Sequence, residues 1–426
     1  MSEGLPARAA AQAVLSEVLR RRRPLDAALE SLPLLPPRDA GFARVIAGET
    51  LRRLGQIEAV IRHFVPKSPP PHKAGPTLEI LFAGACELLF LDVPAHAAVD
   101  AANRLAQADA KAVHFKSLIN AVLRRLSREG KAIVERQDAA KLNTPDWLWQ
   151  RWYETYGEET TRAIADAHLH QAQLDIVLKH SGLVAPAGET LFGNIVRLAE
   201  PGRIDEMPGF ADGNWWVQDA AATLPVRLLG DVRGKTVIDL CAAPGGKTMQ
   251  LAAAGAHVIA VERETARLTR VRDNLARTRL EATLVEADVR DFRPASLADF
   301  VLLDAPCTAT GTIRRHPELP WIKSASDVTL CAQGAAELLD AAAEMVAPNG
   351  LLVFAVCSLE PEEGSEQIER FLARDDRFAR VPSETSDIFG LNELIGAEGD
   401  LRTLPCHLGE RGGMDGFYAA RLRRRS

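Results

Sequence analysis

The chain has 426 residues, 47% apolar and 25% charged, with a formal net charge of −6. That length exceeds one ordinary core and implies two or three domains, and the composition excludes a disordered, collagenous or fibrous chain. No apolar run approaches a membrane span and residues 1–8 lack an apolar core of signal-peptide length, so a cytoplasmic protein without a membrane partner is expected; a monomer is a separate expectation. Six cysteines lie far apart with no Cys-x-x-Cys pair, which argues against a zinc knuckle or a disulfide framework. A buried small hydrophobe is the commoner fate of any one of them.

Residues 5–135 predict a helical bundle of five or more helices. Apolar residues recur at helical spacing over 9–19, 42–64, 78–90, 97–105 and 115–126, with proline-rich breaks at 33–37 and 66–76. Residues 1–135 hold 19 Lys+Arg against 14 Asp+Glu, a balance of +5, leaving −11 for the rest of the chain. The runs Arg20-Arg-Arg-Arg23 and Arg124-Arg125 could neutralise phosphates or lie on solvated helix faces. From 136 to about 170 the pattern stays helical but more polar, with Trp147, Trp149, Trp152, Tyr153 and Tyr156. Short strands follow at 175–179 and 193–198 among Gly and Pro turns, so 136–215 reads as a linker and small α+β module. From 216 onward, strands at 236–240, 257–262, 282–288, 300–305 and 351–357 alternate with helices at 247–254, 264–280, 325–346 and 363–372. That alternation implies a mostly parallel, Rossmann-like α/β sheet, with 416–422 as a last edge strand. The expected domains are 1–135, 136–215 and 216–426.

The stretch Asp239-Leu-Cys-Ala-Ala-Pro-Gly-Gly-Lys-Thr248 sets a tight turn directly after the first strand of that sheet. Such a turn lets backbone N–H groups approach a ligand, with a helix N-terminus behind them. The carboxylate end of S-adenosylmethionine suits it, and so does a phosphate, because Gly246-Lys-Thr248 ends like a Walker A loop. That motif requires glycine where Cys241 stands, although the strand ending near Asp304 could carry a Walker B aspartate. Glu262 ends the second strand about 20 residues further on, where an acidic side chain bonds a ribose diol in dinucleotide-binding folds. Both its oxygens can accept; a carboxylate favoured at a helix entry is the plainer alternative. Asp288, ending the third strand, could accept from the exocyclic amine of adenine, with Asp291 close enough to compete. Lys247 could pair with one of these carboxylates or lie on the surface.

Two cysteines close apolar runs, Phe300-Val-Leu-Leu-Asp-Ala-Pro-Cys307 and Leu351-Leu-Val-Phe-Ala-Val-Cys-Ser358. Ligands of open α/β sheets bind beyond the carboxyl ends of the strands, so the turn and both thiols are expected at one edge. A sulfur nucleophile beside a nucleotide-like cofactor suits methylation of cytosine carbon 5. That carbon is too weak a nucleophile unaided. A thiolate adding to carbon 6 activates it, and loss of the carbon-5 proton with expulsion of the thiol completes the cycle. The scheme needs positive charge or a helix terminus near the thiolate and an acid near ring N3, for which Asp304 lies three residues before Cys307.

The segment 239–248, Asp304-Ala-Pro-Cys-Thr-Ala-Thr-Gly-Thr-Ile-Arg-Arg-His-Pro-Glu318 and Val356-Cys-Ser-Leu-Glu-Pro-Glu-Glu-Gly-Ser-Glu-Gln367 resemble the NOL/NOP/Sun family of RNA 5-methylcytosine methyltransferases. Asp415-Gly-Phe-Tyr-Ala-Ala-Arg421 resembles that family's final motif. Residues 9–19, Pro94-Ala-His-Ala-Ala-Val-Asp100 and Leu118-Ile-Asn-Ala-Val-Leu-Arg-Arg125 are similar to a NusB-type RNA-binding domain, a looser likeness. The resemblance covers nearly the whole chain. It implies S-adenosylmethionine as cofactor, no metal, and RNA as partner, small-subunit (16S) rRNA in the first place. It also implies Cys357 as nucleophile and Cys307 as the second cysteine, which assists release of the methylated RNA. The implied cofactor set is Cys241, Ala242, Ala243, Pro244, Gly245, Gly246, Lys247, Glu262, Asp288 and Asp304. Val356 stands where the family commonly has threonine and Glu262 where aspartate is frequent, and both keep the needed chemistry. The alternatives are a P-loop NTPase, a non-catalytic NusB-type RNA-binding factor, a methyltransferase acting on tRNA, and a DNA cytosine methyltransferase, whose nucleophile resembles the position of Cys307.

Overall fold

In the computed structural model, which describes residues 4–67, 69–199 and 202–426, the chain forms two units. One comprises residues up to 171 together with 313–324, the other 172–312 and 325–426.

The first unit is helical, its longer helices spanning Leu5–Arg21, Pro37–Arg52, Leu54–Phe64, Thr77–Leu89, Ala95–Ala108, Lys116–Arg125 and Asp146–His168. Prolines at the entries of several helices, such as Pro36 and Pro94, lie where a backbone N–H has no intrahelical partner to lose. Ala7, Ala11, Val14, Leu15 and Val18 recur every three or four residues and bury one face of the first helix. Thr77–Leu89 is buried on all sides and forms the centre of the bundle. Its two central carboxylates are paired: Glu87 with Arg8 at 2.6 Å, and Glu79 with Arg20 at 2.5 Å.

The arginine run at 20–23, read as a phosphate contact or a solvated helix face, also makes bonds within the protein. Arg20 forks onto Glu79, Arg21 and Arg23 reach Glu17, and Arg22 Nε donates to the Ile322 carbonyl. Residues 313–324, far along the chain, are held within this unit. Arg52 Nη2 donates to Arg314 O at 3.0 Å, the Leu25 N–H to Glu318 at 3.2 Å, and Trp321 Nε1 to Leu51 O at 2.8 Å. The helical pattern expected from 136 to about 170 is present as Asp146–His168, which lies in the same unit as the preceding helices.

The second unit opens with an antiparallel sheet of β1 (Asp175–Leu178), β2 (Gly188–Phe192), β3 (Ile195–Leu198) and β4 (Trp215–Val217), in the order β2-β3-β1-β4. β2 and β4 are additions to the strands read from the sequence. The main sheet contains β5 (Thr236–Leu240), β6 (His257–Glu262), β7 (Thr283–Glu286), β8 (Ala298–Asp304), β9 (Val346–Val356), β10 (Phe378–Arg380), β11 (Leu401–Thr403) and β12 (Phe417–Arg424). Its order is β10-β12-β9-β8-β5-β6-β7, with β11 also paired to β12. The five strands from β9 to β7 are parallel. β12 runs antiparallel to β9, and β10 and β11 both pair with it, so the last strand is interior rather than the expected edge.

β5 to β7 build outward on one side, and the chain then returns to lay β8 on the other side of β5. The carboxyl ends of β5 and β8 therefore flank the switch point at which open α/β sheets bind ligands.

Candidate active site

Beyond β5 the chain turns sharply. Cys241 has φ +60°, a left-handed conformation that is strained for a residue with a Cβ. Gly245 has φ +103°, and a Cβ there would lie 3.2 Å from Val271. Ala242 N–H donates to Val261 O at 3.1 Å, and Gly245 N–H to Ala242 O at 2.8 Å. From the helix Thr265–Thr278, Arg267 donates to Ala243 O and Asn274 to Pro244 O, each at 3.1 Å.

The two polar side chains of the Walker-like ending turn away from a phosphate role. Thr248 Oγ1 donates to buried Asp239 at 2.6 Å, and Lys247 Nζ donates to Asp304 at 2.7 Å while lying over the Phe417 ring. Burial works against the Lys247 charge, but the Asp304 carboxylate prevails and leaves its pKa raised. Burial pushes Asp239 up to about 7, with one oxygen lacking a hydrogen-bond partner. Asp239 was quoted in the sequence only as the start of the motif; its support of the loop through Thr248 needed the fold.

Cys241, Glu262 and Asp288 line a cavity of about 190 Å³ with Val261, Pro306 and Leu338. Glu262 is buried; its Oε1 accepts from the Glu264 N–H at 3.1 Å, while Oε2 has no hydrogen-bond partner and lies 3.5 Å from Arg267 Nη1. Asp288 is gripped by Arg290 through Nε at 2.9 Å and Nη2 at 2.7 Å, which holds its carboxyl at about 2. Asp291 does not line this cavity. Pro244 and Gly246 border a different depression of about 220 Å³ beside Trp216 and Arg277. Arg267 and Arg290 were missed in the sequence, where each reads as one more arginine of a polar helix or turn.

The two thiols lie side by side, with Cys307 Sγ 3.5 Å from Cys357 Sγ. Neighbouring strands align them: Ala305 N–H donates to Ala355 O at 2.8 Å and Gly311 N–H to Cys357 O at 3.0 Å. The Cys357 contact and burial push the Cys307 thiol well above the ordinary range, so this sulfur keeps its proton. Among the described residues, no group of three or more His, Cys, Asp and Glu could hold a metal ion, and no helix is long and apolar enough to cross a membrane.

Residues 226–423 match the family model described as 16S rRNA methyltransferase RsmB/F, and residues 5–128 match the NusB family. The chain is similar to ribosomal RNA small subunit methyltransferase B of Vibrio vulnificus, at 35% identity over 97% of this chain and 98% of that protein. The protein of the same name in Pseudomonas putida is 36% identical, with the same coverage. Among solved structures, PH0851 superposes with a TM-score of 0.78 at 23% identity, over 100% of this chain and 99% of that one. NSun6 from Pyrococcus horikoshii, solved with SFG, superposes with a TM-score of 0.56 at 17% identity, over 66% of this chain and 98% of that one. At these identities the two structures speak for the fold alone.

Proposed function

The chain belongs to the ribosomal RNA small subunit methyltransferase B family, and from that premise we propose that it methylates carbon 5 of a cytosine in 16S rRNA, using S-adenosylmethionine, through a covalent adduct at Cys357. The observation that carries this reading is the 3.5 Å contact between Cys307 and Cys357 at the ends of adjacent parallel strands.

The cavity beside β6 suits the nucleoside part of the cofactor. Glu262 offers its free oxygen to the ribose hydroxyls, Asp288 an acceptor to the adenine amine, and Val261, Pro306 and Leu338 the apolar walls. When bound, S-adenosylmethionine supplies an electrophilic methyl group. Cys357, as thiolate, adds to carbon 6 of the cytosine and makes carbon 5 nucleophilic. The protonated Lys247 provides positive charge at this edge of the sheet, the condition that favours a thiolate. After the methyl group is in place, the carbon-5 proton leaves and the sulfur–carbon bond breaks, with Cys307 assisting this release.

Asp304 was read as the acid near ring N3. Its bond to the Lys247 ammonium makes it an acceptor, so a proton moving toward the ring comes from the Lys247–Asp304 pair rather than from Asp304 alone. The helical unit supplies affinity for RNA, through exposed basic side chains such as Arg124 and Arg125 and the outward-facing arginines of the run at 20–23.

Bisulfite sequencing of rRNA from cells lacking the protein tests this. One 5-methylcytosine of 16S rRNA is expected to disappear and to return with the wild-type gene but not with Cys357→Ala. Cys307→Ala is expected to form an RNA–protein adduct that survives denaturing gels. An unchanged bisulfite pattern would remove the proposed substrate, and an adduct trapped by Cys357→Ala instead would reverse the roles of the thiols.

A further inference from the structure

Each thiol is followed by a hydroxyl residue, Cys307 by Thr308 and Cys357 by Ser358. Both hydroxyls converge on one carboxylate. Glu363, in the turn Pro361–Glu363, is fully buried. Its Oε1 accepts from the Thr308 N–H at 2.8 Å, and its Oε2 accepts from Thr308 Oγ1 at 2.6 Å and from Ser358 Oγ. Around this centre the same two loops are tied again: Leu359 N–H donates to Thr310 Oγ1 at 2.9 Å, and Thr310 Oγ1 lies 3.3 Å from Ser358 Oγ. A buried carboxylate without partners would be strongly unfavourable, whereas three donors from two loops satisfy it and fix those loops to each other. The sheet aligns the backbones of β8 and β9, and the Gly311 N–H to Cys357 O bond ties the loops beyond it once. The remaining ties between those loops, where the sulfurs sit, come from these side chains.

We propose that Glu363 is a positioning residue which, by accepting hydrogen bonds from the residues after both cysteines, holds Cys307 against Cys357 so that release of the methylated base follows its attack. The claim rests on the divided roles of the two thiols proposed above. Glu363 touches neither base nor cofactor in this role and acts through Thr308 and Ser358. Without it the Cys357 loop keeps its ladder to β8, so attack persists. The Cys307 loop loses two of its anchors, so release suffers more.

Two readouts on the full-length protein separate the possibilities. The first involves no RNA. Diamide, an azo oxidant that takes the two thiol hydrogens as the sulfurs join, reports how readily Cys307 and Cys357 form a disulfide. Bond formation requires the sulfurs to close to about 2.05 Å, a short movement from 3.5 Å. Glu363→Ala is expected to slow this oxidation at least tenfold. The second is single-turnover methylation, in which Glu363→Ala is expected to accumulate covalent RNA–protein adduct, with attack slowed less than release. Glu363→Gln keeps the side-chain volume and one acceptor oxygen, and is expected to fall between wild type and alanine in both assays. Thr308→Val covers the case in which Glu363→Ala does not fold, since it removes one donor only and is expected to shift both readouts in the same direction.

Unchanged oxidation in a folded Glu363→Ala or Thr308→Val protein overturns the proposal whatever the activity does. Slowed oxidation with normal adduct release overturns the link to release. If oxidation slows but no adduct forms in any protein, Cys307→Ala included, the positioning of the thiols stands and the covalent reading of the reaction falls.

Discussion

In the helical unit, arginines close upon buried carboxylates and upon carbonyls: Arg8 upon Glu87, Arg20 upon Glu79, and Arg52 upon the carbonyls of His168, His170 and Arg314. In the second unit, buried carboxylates gather at the carboxyl ends of parallel strands, and Asp239 and Glu262 each keep one oxygen with no hydrogen-bond partner. Guanidinium forks offer several donors in a fixed plane and suit the stitching of helix ends and loops. Carboxylates offer only acceptors, and one left over in a cavity suits the hydroxyls and amines of a ligand. A buried charge thus reads as scaffold or as binding site according to where its remaining valence points.

The largest expected effect lies at the thiols. Cys357→Ala should lower methyl transfer by about 10⁴-fold or more while leaving the thermal midpoints of both units near wild type. Activity above a hundredth of wild type would place the nucleophile elsewhere. Arg52→Met in the helical unit is the counterpart. It removes three bonds to carbonyls, two of them buried, and should cost about 3 kcal/mol of that unit's stability, read by urea denaturation, with cofactor affinity within twofold of wild type. If affinity fell in step with stability, the two kinds of buried charge would not be separable.

Glu262→Ala should weaken S-adenosylmethionine binding about a hundredfold, roughly 2.7 kcal/mol, without destabilising the helical unit. Calorimetry giving an unchanged affinity would remove Glu262 from the site, and tight ATP binding would revive the phosphate reading of the loop.

A smaller effect distinguishes the units by pH. His168, buried near Arg314 and Arg52, has its pKa pulled down to about 3, against about 6.5 in an unfolded chain. The unfolded state binds more protons, so this contribution is present above pH 6.5 and is lost as pH falls toward 3. Asp239 has the opposite sign. Raised to about 7 from about 3.9, it contributes below pH 4 and loses that contribution as pH rises toward 7. Across pH 4–6.5, His168→Gln should therefore flatten the acid-side loss of thermal midpoint, and Asp239→Asn the neutral-side loss. Identical profiles for both variants would sink this assignment. Smallest of all, Arg124→Glu with Arg125→Glu should flatten the salt dependence of RNA binding by about one unit of log–log slope per lost phosphate contact.

What could be read from the sequence follows how local each cause is. β5 and β6 were predicted with their observed ends, because each is an apolar run closed by a turn. β2, β4, β10 and β11 were not: they are three to five residues long, and the first half of β2 is solvent-exposed. β12 was expected, over 416–422, as a last edge strand. Arg421 spans to the carbonyls of Val381, Pro382 and Leu228, and β10 and β11 cover the strand. In the site, motif positions named Cys307, Cys357, Glu262 and Asp288. The partners of Lys247 and Thr248, the grip of Arg290 on Asp288, and the convergence of Thr308 and Ser358 on Glu363 all depend on which strands lie side by side. The Cys-Thr and Cys-Ser pairs were visible, but nothing local joined them.

The segment 313–324 has a consequence for how the protein is made. The ribosome releases the helices up to 171 first, yet Ile313, Leu319 and Ile322, which lie buried, are translated some 140 residues later. At about 5–20 residues per second, the earlier helices wait roughly 7–30 s for the piece that completes them. In that interval the backbone carbonyl of Leu51 and the guanidinium of Arg52 lack their partners on Trp321 and Arg314. The nascent amino-terminal half is therefore an unfinished fold for as long as the Cys307 loop is unmade. A fragment cut at residue 171 would be fixed at that stage of synthesis, and its behaviour would describe the nascent chain rather than the domain.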